Sequence, residues 1–372
     1  MKILLVSMNS IHFRRWSDQL RDNGHEVYWF DILDQGYAPS MSWMTQITGW
    51  KKGFLKKRGR TFLKNKLPKL FNALVHKYDT NVTTAFEKSI QEIQPDLVHS
   101  FALYTSCLPI LVCMNKHAGI NWLYSSWGSD LFYRKNKPDF EIEVPAVLQR
   151  VNYLITDCHR DAKIAVQMSF KGTNLGVYPG GGGFEKRPVS FNRDKYAIVV
   201  KGYENELGKA IPVLQALFEL GELYPLKVSV FGASPALLDF IQDKDFKKST
   251  ITVHGDISHD DVIALMENAT YYIGNSISDG MPNTLLEAIF SGCIPIQSNP
   301  GNATEEVIEQ AVNGFLIQEV TNVESIKGVI VEALENADRI EQFYENNASI
   351  RYSYLRDRVK ERVLKMYDSL SA

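Results

Sequence analysis

The sequence predicts an α/β protein of two doubly wound parallel sheets that face a central cleft. Short apolar runs, the length of buried strands, alternate with segments of helical period, and this alternation passes through the chain twice. Between the two passes stand Pro179 and four glycines, Gly180 to Gly183, with Pro188 a little further on. They are the strongest punctuation in the chain and mark a domain boundary. The expected division is residues 1–188, residues 189–351, and a terminal helix over 352–372.

In the first domain, residues 2–7 (KILLVS) read as a strand buried on both faces, 11–23 as a helix ending before Gly24, and 26–30 as a second strand. The loop after the first strand, Ser7 to Ser10, lacks the GxGxxG pattern, which disfavours a nicotinamide-dependent oxidoreductase. A helix through 82–94 leads to a strand at Asp96–Ser100. A helix near 105–116 leads to a strand at Ile120–Tyr124. Asn152–Thr156 and Leu175–Tyr178 read as the last strands of this half. The four glycines lack a following Lys-Ser/Thr and no helical pattern opens after them, so a linker or cleft-lining loop fits better than a phosphate cradle.

The second domain reads as strands at 196–201, 226–231, 251–254, 270–275, 293–298 and 314–317. Helices are predicted near 207–221, 235–243, 259–268, 282–291 and 303–311, and residues 323–369 read as helical. Pro282 suits a first helical position, and Gly292 suits the left-handed residue that stops a helix.

With 372 residues, 45% hydrophobic and 23% charged, the chain has globular composition and room for two domains. The net charge of −2 hides an asymmetry: residues 1–190 hold 25 Lys and Arg against 16 Asp and Glu, the remainder 16 against 27. Residues 35–78 contain no acid and ten basic residues, with Trp43, Trp50, Phe54, Phe62, Leu67, Leu70 and Phe71 among them. Basic residues mixed with Trp, Phe and Leu over 43–77 suit an anionic membrane surface, or else a solvated helical face with core contacts; nothing else on the chain supports nucleic-acid binding. Cys107, Cys113, Cys158 and Cys293 show no metal spacing and read as buried reduced thiols of a cytosolic protein. The N-terminus has an apolar run of only four residues, Ile3 to Val6, too short for a signal peptide core, and no run approaches a spanning helix. The expected location is cytoplasmic, with peripheral attachment to the inner face of the membrane as an option.

Chemistry concentrates in the second domain. The loop Ser276 to Met281 joins a strand's carboxyl end to a helix's amino end, where open α/β sheets bind ligands and helix N–H groups attract phosphate. Asp279 lies in this loop, and Glu287 lies eight positions on, in the helix. Gly280, Met281, Pro282, Asn283 and Thr284 form the turn and first helical residues. Lys201 ends the domain's first strand, Gly202 begins the next loop and Lys209 starts the next helix. Two cations, N–H donors and two carboxylates suit a donor with a diphosphate, a ribose diol and sugar hydroxyls, that is, a nucleotide sugar. From the first domain Trp127, Gly128 and Asp130, with Asn9 and His12, are candidates for the acceptor or cleft side; Asp130 also reads as an N-cap.

The run SDGMPNTLLEAIFSGCIPIQSNPGNATEEVIEQAVNGFLI is similar to the signature of family 4 glycosyltransferases, which have the GT-B fold of two Rossmann-like domains. Asp279 and Glu287 match the spacing of its two acids, Cys293-Ile294-Pro295-Ile296 its Pro-containing strand, and Asn313-Gly314 its last element. The resemblance covers about 45 residues closely. It implies a metal-independent, retaining transfer of a sugar from a nucleotide donor, without cofactor, UDP being the default nucleotide. It implies that Asp279 contacts donor-sugar hydroxyls, Glu287 the ribose, and Lys201 and Lys209 the diphosphate, and that the final helix crosses back onto the first domain. A covalent route would need a nucleophilic carboxylate on the face opposite the leaving group, and none is identified. The resemblance instead implies attack on the same face as the departing diphosphate, which leaves positioning and charge stabilisation to the protein.

Three departures stand out. Asp279 is one methylene shorter than the family's usual Glu. The basic pair is Lys and Lys, eight apart, where the family has Arg and then Lys about five on. Trp127 stands where the family has His of a His-Gly pair. The acceptor is expected to be a glycan or lipid-linked glycan in surface polysaccharide or glycolipid synthesis. The competing readings are a GT-B sugar-nucleotide epimerase, using His12, His99 and Asp130 as acid/base groups, and a non-catalytic carbohydrate- or lipid-binding relative.

Overall fold

The structure, a computed structural model, describes residues 1–51, 81–133, 139–242, 244–245 and 248–371. The described chain forms two units. The first comprises Met1–Thr156, Ala162–Val177 and Val363–Ala372; the second comprises Asp157–Asp161 and Tyr178–Arg362.

The first unit holds a parallel sheet of β1 (Lys2–Ser7), β2 (Glu26–Asp31), β3 (Thr45–Ile47), β4 (Leu97–Phe101), β5 (Asn121–Ser126), β6 (Tyr153–Thr156) and β7 (Thr173–Val177), in the order β3-β2-β1-β4-β5-β6-β7. Five of the six residues of β1 are buried, as its apolar run requires of a strand covered on both faces. Helices α1 (Ile11–Ser17), α2 (Val82–Ile93), α3 (Leu111–Lys116), α4 (Phe140–Arg150) and α5 (His159–Gln167) connect them. Phe30, Phe86, Val98, Trp122, Phe140 and Leu148 belong to its core.

The second unit holds β8 (Ala197–Lys201), β9 (Lys227–Phe231), β10 (Thr250–Val253), β11 (Tyr271–Gly274), β12 (Ile294–Ser298) and β13 (Phe315–Ile317), parallel, in the order β10-β9-β8-β11-β12-β13. Its helices are α6 (Ala210–Leu220), α7 (Pro235–Gln242), α8 (His259–Asn268), α9 (Asn283–Phe290), α10 (Val323–Glu335), α11 (Ile340–Asn346) and α12 (Ala348–Ser353); α13 (Arg356–Ser369) follows. The two doubly wound parallel sheets expected from the sequence are present. In each, strand order reverses between neighbours, β1 and β4 in one and β8 and β11 in the other.

Several local expectations are corrected. The helix expected at 11–23 ends at Ser17 and tightens to a 3₁₀ turn through Leu20, with Asp22 left-handed at φ 62°. The segment expected as a helix at 105–116 is a π turn at Leu103–Cys107, a 3₁₀ turn at Leu108–Ile110, then α3; Pro109 cannot donate to a continuous ladder. No helix spans 303–311. Asn299 Oδ1 accepts from the Thr304 and Glu305 N–H groups, and Asn313 Oδ1 takes the Glu309 N–H at 2.7 Å, so side chains capture the backbone donors a helix would use. Only 3₁₀ turns at Pro300–Asn302 and Thr304–Glu306 form. The helical tail is broken into separate helices at Asn336 and Asn347. Pro282 is the N-cap rather than the first helical residue, and Gly292 follows the C-cap with φ 81°, as its position in the sequence suggested.

Trp43 to Lys51 of the basic segment are described, and 52–77 lie outside the described residues. Trp50 stacks on Phe30 at 5.4 Å and donates to Asp31 O at 2.8 Å, so this indole is a core contact. Among the described residues no helix is long and apolar enough to cross a membrane.

Candidate donor site in the second unit

The reversal of strand order between β8 and β11 sends their two following loops to opposite faces of the sheet, and a crevice opens between them at the carboxyl ends. Lys201 is the last residue of β8, and its Nζ lies 3.4 Å from Thr284 Oγ1 at the start of α9 and 4.8 Å from the Tyr203 ring centre. Gly202 is buried, and a Cβ there would stand 2.6 Å from Val230 Cγ1, so no side chain fits. Lys209 is the N-cap of α6. Its N–H donates to Asn275 O just past β11, while Asn275 Nδ2 donates back to Lys209 O at 2.8 Å. Its Nζ donates to Asn205 O at 2.8 Å and is 3.9 Å from Glu204 Oε1. The two loops are thus tied together by backbone and side-chain bonds.

The second loop carries the acids. Asp279 is half-buried, and its Oδ1 accepts from the Gly280 N–H at 2.9 Å, which holds the carboxylate against its own turn. Gly280 lies against Asp157: a Cβ would fall 2.2 Å from Asp157 Oδ1. Met281 is core, and no side-chain hydrogen bond caps α9 at Pro282. A Cβ on Gly181 would come 3.0 Å from Asn283 Oδ1, so the glycine run passes directly beside this helix start. Glu287 is buried, and its Oε1 is 2.7 Å from His259 Nε2 on the first turn of α8. Burial raises the Tyr272 hydroxyl well above its usual pKa, and the charges of Asp279 and Glu287 add to that shift.

Sequence reasoning missed His259 and Asp157. The signal for His259 was a capping box, Ser258 and Asp261, opening a helix at the end of a strand. Asp157 precedes a helix whose first residues group with the second unit, which no local pattern announces.

The first-unit candidates are differently placed. Asp130 is buried, and its Oδ2 accepts from Leu103 N at 2.7 Å and from Tyr124 OH at 3.0 Å. That oxygen anchors the turn at Ala102, which has φ 67°. Trp127 is half-buried, 4.9 Å from Phe101 and 6.4 Å edge-on to His12; Gly128 takes φ 58°. The Asn9 N–H donates to Gln35 Oε1 at 2.8 Å. His99 is fully buried, between Tyr367 OH at 2.5 Å from Nδ1 and Ser125 Oγ at 2.6 Å from Nε2, and burial pushes its pKa well below the usual value. An epimerase drawing on His99 and Asp130 therefore finds both already engaged in structural contacts.

Residues 185–349, all within the second unit, match the family model described as Glycosyl transferases group 1. The chain's overall fold is that of GT-B glycosyltransferases. The sucrose-phosphate synthase from Thermosynechococcus elongatus aligns over 100% of this chain and 99% of its own, with TM-score 0.75 and 15% identity. HepE from Anabaena, solved in complex with UDP-glucose, aligns over 100% and 99%, with TM-score 0.71 and 12% identity. The lipopolysaccharide outer core galactosyltransferase WaaB in its apo form aligns over 99% of both chains, with TM-score 0.66 and 16% identity. No curated protein matches the chain.

Proposed function

We propose that this protein is a retaining glycosyltransferase that moves a sugar from a nucleotide-sugar donor to a glycan or lipid-linked acceptor in surface polysaccharide or glycolipid synthesis. The observation that supports the reading is the strand-order reversal between β8 and β11, whose following loops lead to Lys209 and to Asp279, inside the span that matches the glycosyltransferase group 1 model. In this reading Lys201 and Lys209 neutralise the diphosphate, the start of α9 adds its N–H groups, Glu287 accepts from the ribose diol and Asp279 accepts from donor-sugar hydroxyls. As the glycosidic bond breaks, negative charge grows on the leaving phosphate, and cations already in place stabilise it without reorganisation. A UDP-sugar is the first donor to try, since HepE was solved with UDP-glucose and the pneumococcal O-GlcNAc transferase GtfA with UDP and GlcNAc.

Thermal unfolding in a panel of UDP-, GDP-, ADP- and dTDP-sugars tests the donor class. A ligand at about 100 times its Kd raises stability by about 2.7 kcal/mol, a clear rise in Tm. No shift with any of them would sink the reading. Anomeric analysis of the product by NMR tests retention. The basic residues over 43–77 are assigned to peripheral attachment on the inner face of the membrane, and failure to bind anionic vesicles at low salt would remove that part.

A further inference from the structure

We propose that Glu87, Cys113 and His117 form a binding site for a zinc-class divalent cation that clips α2 to α3. None of the residues assigned to the donor site takes part. Cys113 lies in α3 and His117 is its C-cap; the His117 N–H donates to Cys113 O at 3.1 Å, so the two side chains are one turn apart on one face. Glu87 meets them from α2: Cys113 Sγ is 2.9 Å from Glu87 Oε2, and His117 Nε2 is 2.9 Å from Glu87 Oε1. The three donor atoms all lie within 4.8 Å of one another.

Zinc bonds of about 2.0–2.3 Å in a tetrahedron set neighbouring donors roughly 3.3–3.8 Å apart. The present contacts need open by only about half an ångström for an ion to replace the protons they now hold. On binding, the Cys113 thiol gives its proton to the buffer and forms the sulfur–metal bond. His117 binds through Nε2 as the neutral tautomer that carries its proton on Nδ1, and Glu87 binds as carboxylate. One thiolate and one carboxylate match the two charges of the ion. The mixed sulfur, nitrogen and oxygen set favours zinc or cobalt over magnesium or calcium.

The surroundings fit. Glu87 and His117 side chains are 23% and 28% exposed, which leaves an entry path and room for a water as fourth ligand. Arg150 fixes the end of α3 by donating from Nε to Met114 O at 2.9 Å and from Nη2 to His117 O at 3.0 Å. Lys116 Nζ, 3.9 Å from Glu87, is 64% exposed and can turn to solvent. The sequence hid this set because its thiol pairs with a histidine four residues on and a glutamate 26 residues back, not with a second cysteine.

Cobalt(II) titration of the purified protein tests the proposal by the absorption of thiolate-to-cobalt charge transfer. The band is expected in the wild type and in Cys158→Ser, absent in Cys113→Ser, and at least 10-fold weaker in apparent affinity in His117→Gln. Zinc should displace the cobalt and raise Tm. A wild type without the band, or a band that survives Cys113→Ser, overturns the proposal. If Cys113→Ser does not fold, His117→Gln decides: unchanged cobalt affinity overturns it.

Discussion

Replacing Lys209 with alanine separates the two roles this residue can have. In the fold, its Nζ makes one hydrogen bond to Asn205 O and a loose 3.9 Å pair with Glu204. Glu204 keeps its own bond from the Ile211 N–H at 2.8 Å. One ordinary hydrogen bond at about 0.5–1.5 kcal/mol and a partly exposed ion pair at about 0–1 kcal/mol bound the stability loss near 2 kcal/mol. The backbone bond that ties Lys209 to Asn275 survives the substitution. In the site, a cation on the diphosphate is worth about 1.5–3 kcal/mol as a charge-assisted bond, and an interaction that strengthens as the leaving group takes up charge costs on the order of 10²–10³ in kcat when removed. The assay is release of nucleoside diphosphate from whichever donor raises Tm in the panel, alongside UDP calorimetry and thermal unfolding. The expected result is a folded variant, Tm lowered by a few degrees, with turnover down by at least about 100-fold. Normal turnover in a folded Lys209→Ala protein refutes the role.

Glu287→Gln keeps the contact to His259 but removes the charge, so UDP binding should weaken by roughly 10–100-fold with stability little changed; equal affinity by calorimetry would dismiss the ribose role. Gly280→Ala drives a methyl to 2.2 Å from the Asp157 carboxylate and should cost about 1–3 kcal/mol in denaturant unfolding, where a neutral result would mean that the turn relaxes. Tyr367→Phe strips His99 and Trp16 of a buried partner, at about 1–3 kcal/mol for each group, and an unchanged midpoint would show the hydroxyl to be idle. His99 is held neutral by burial, so the unfolded chain binds a proton near pH 6.5 that the native state refuses. Stability is therefore full above that pH and falls as pH drops toward 5, by up to about 1.4 kcal/mol per unit; His99→Gln should flatten the Tm profile, and an identical profile would refute the assignment.

The sheets were legible because parallel strands buried on both faces read as plain apolar runs: Tyr271–Gly274 and Ile294–Ser298 are buried at every residue. The loops after β8 and β11, which lead to Lys209 and Asp279, were legible because they leave strand ends. What sequence could not give was decided by side chains reaching across the chain. Asn299 and Asn313 dissolve a helix that periodicity favoured. Asp130 is committed to Leu103 and Tyr124 by geometry that no local motif encodes. His99 looked available until Tyr367, 268 residues away, covered it. The three-residue strand β3 is too short to show a period at all.

The first unit's own membership sets an order of events during synthesis. Trp16 meets Tyr367 across 351 residues of chain, and Val363–Ala372 belongs to the same unit as the first strand. At about 5–20 residues per second a ribosome needs roughly 20–70 s to travel that span. For that interval the indole of Trp16, and over the last 268 residues of it the imidazole of His99, wait for Tyr367, while the whole second unit is being made in between. A nascent chain arrested before residue 363 should therefore hold an unfinished first unit, open to proteases and chaperones, beside a second unit that already has nearly all of its residues.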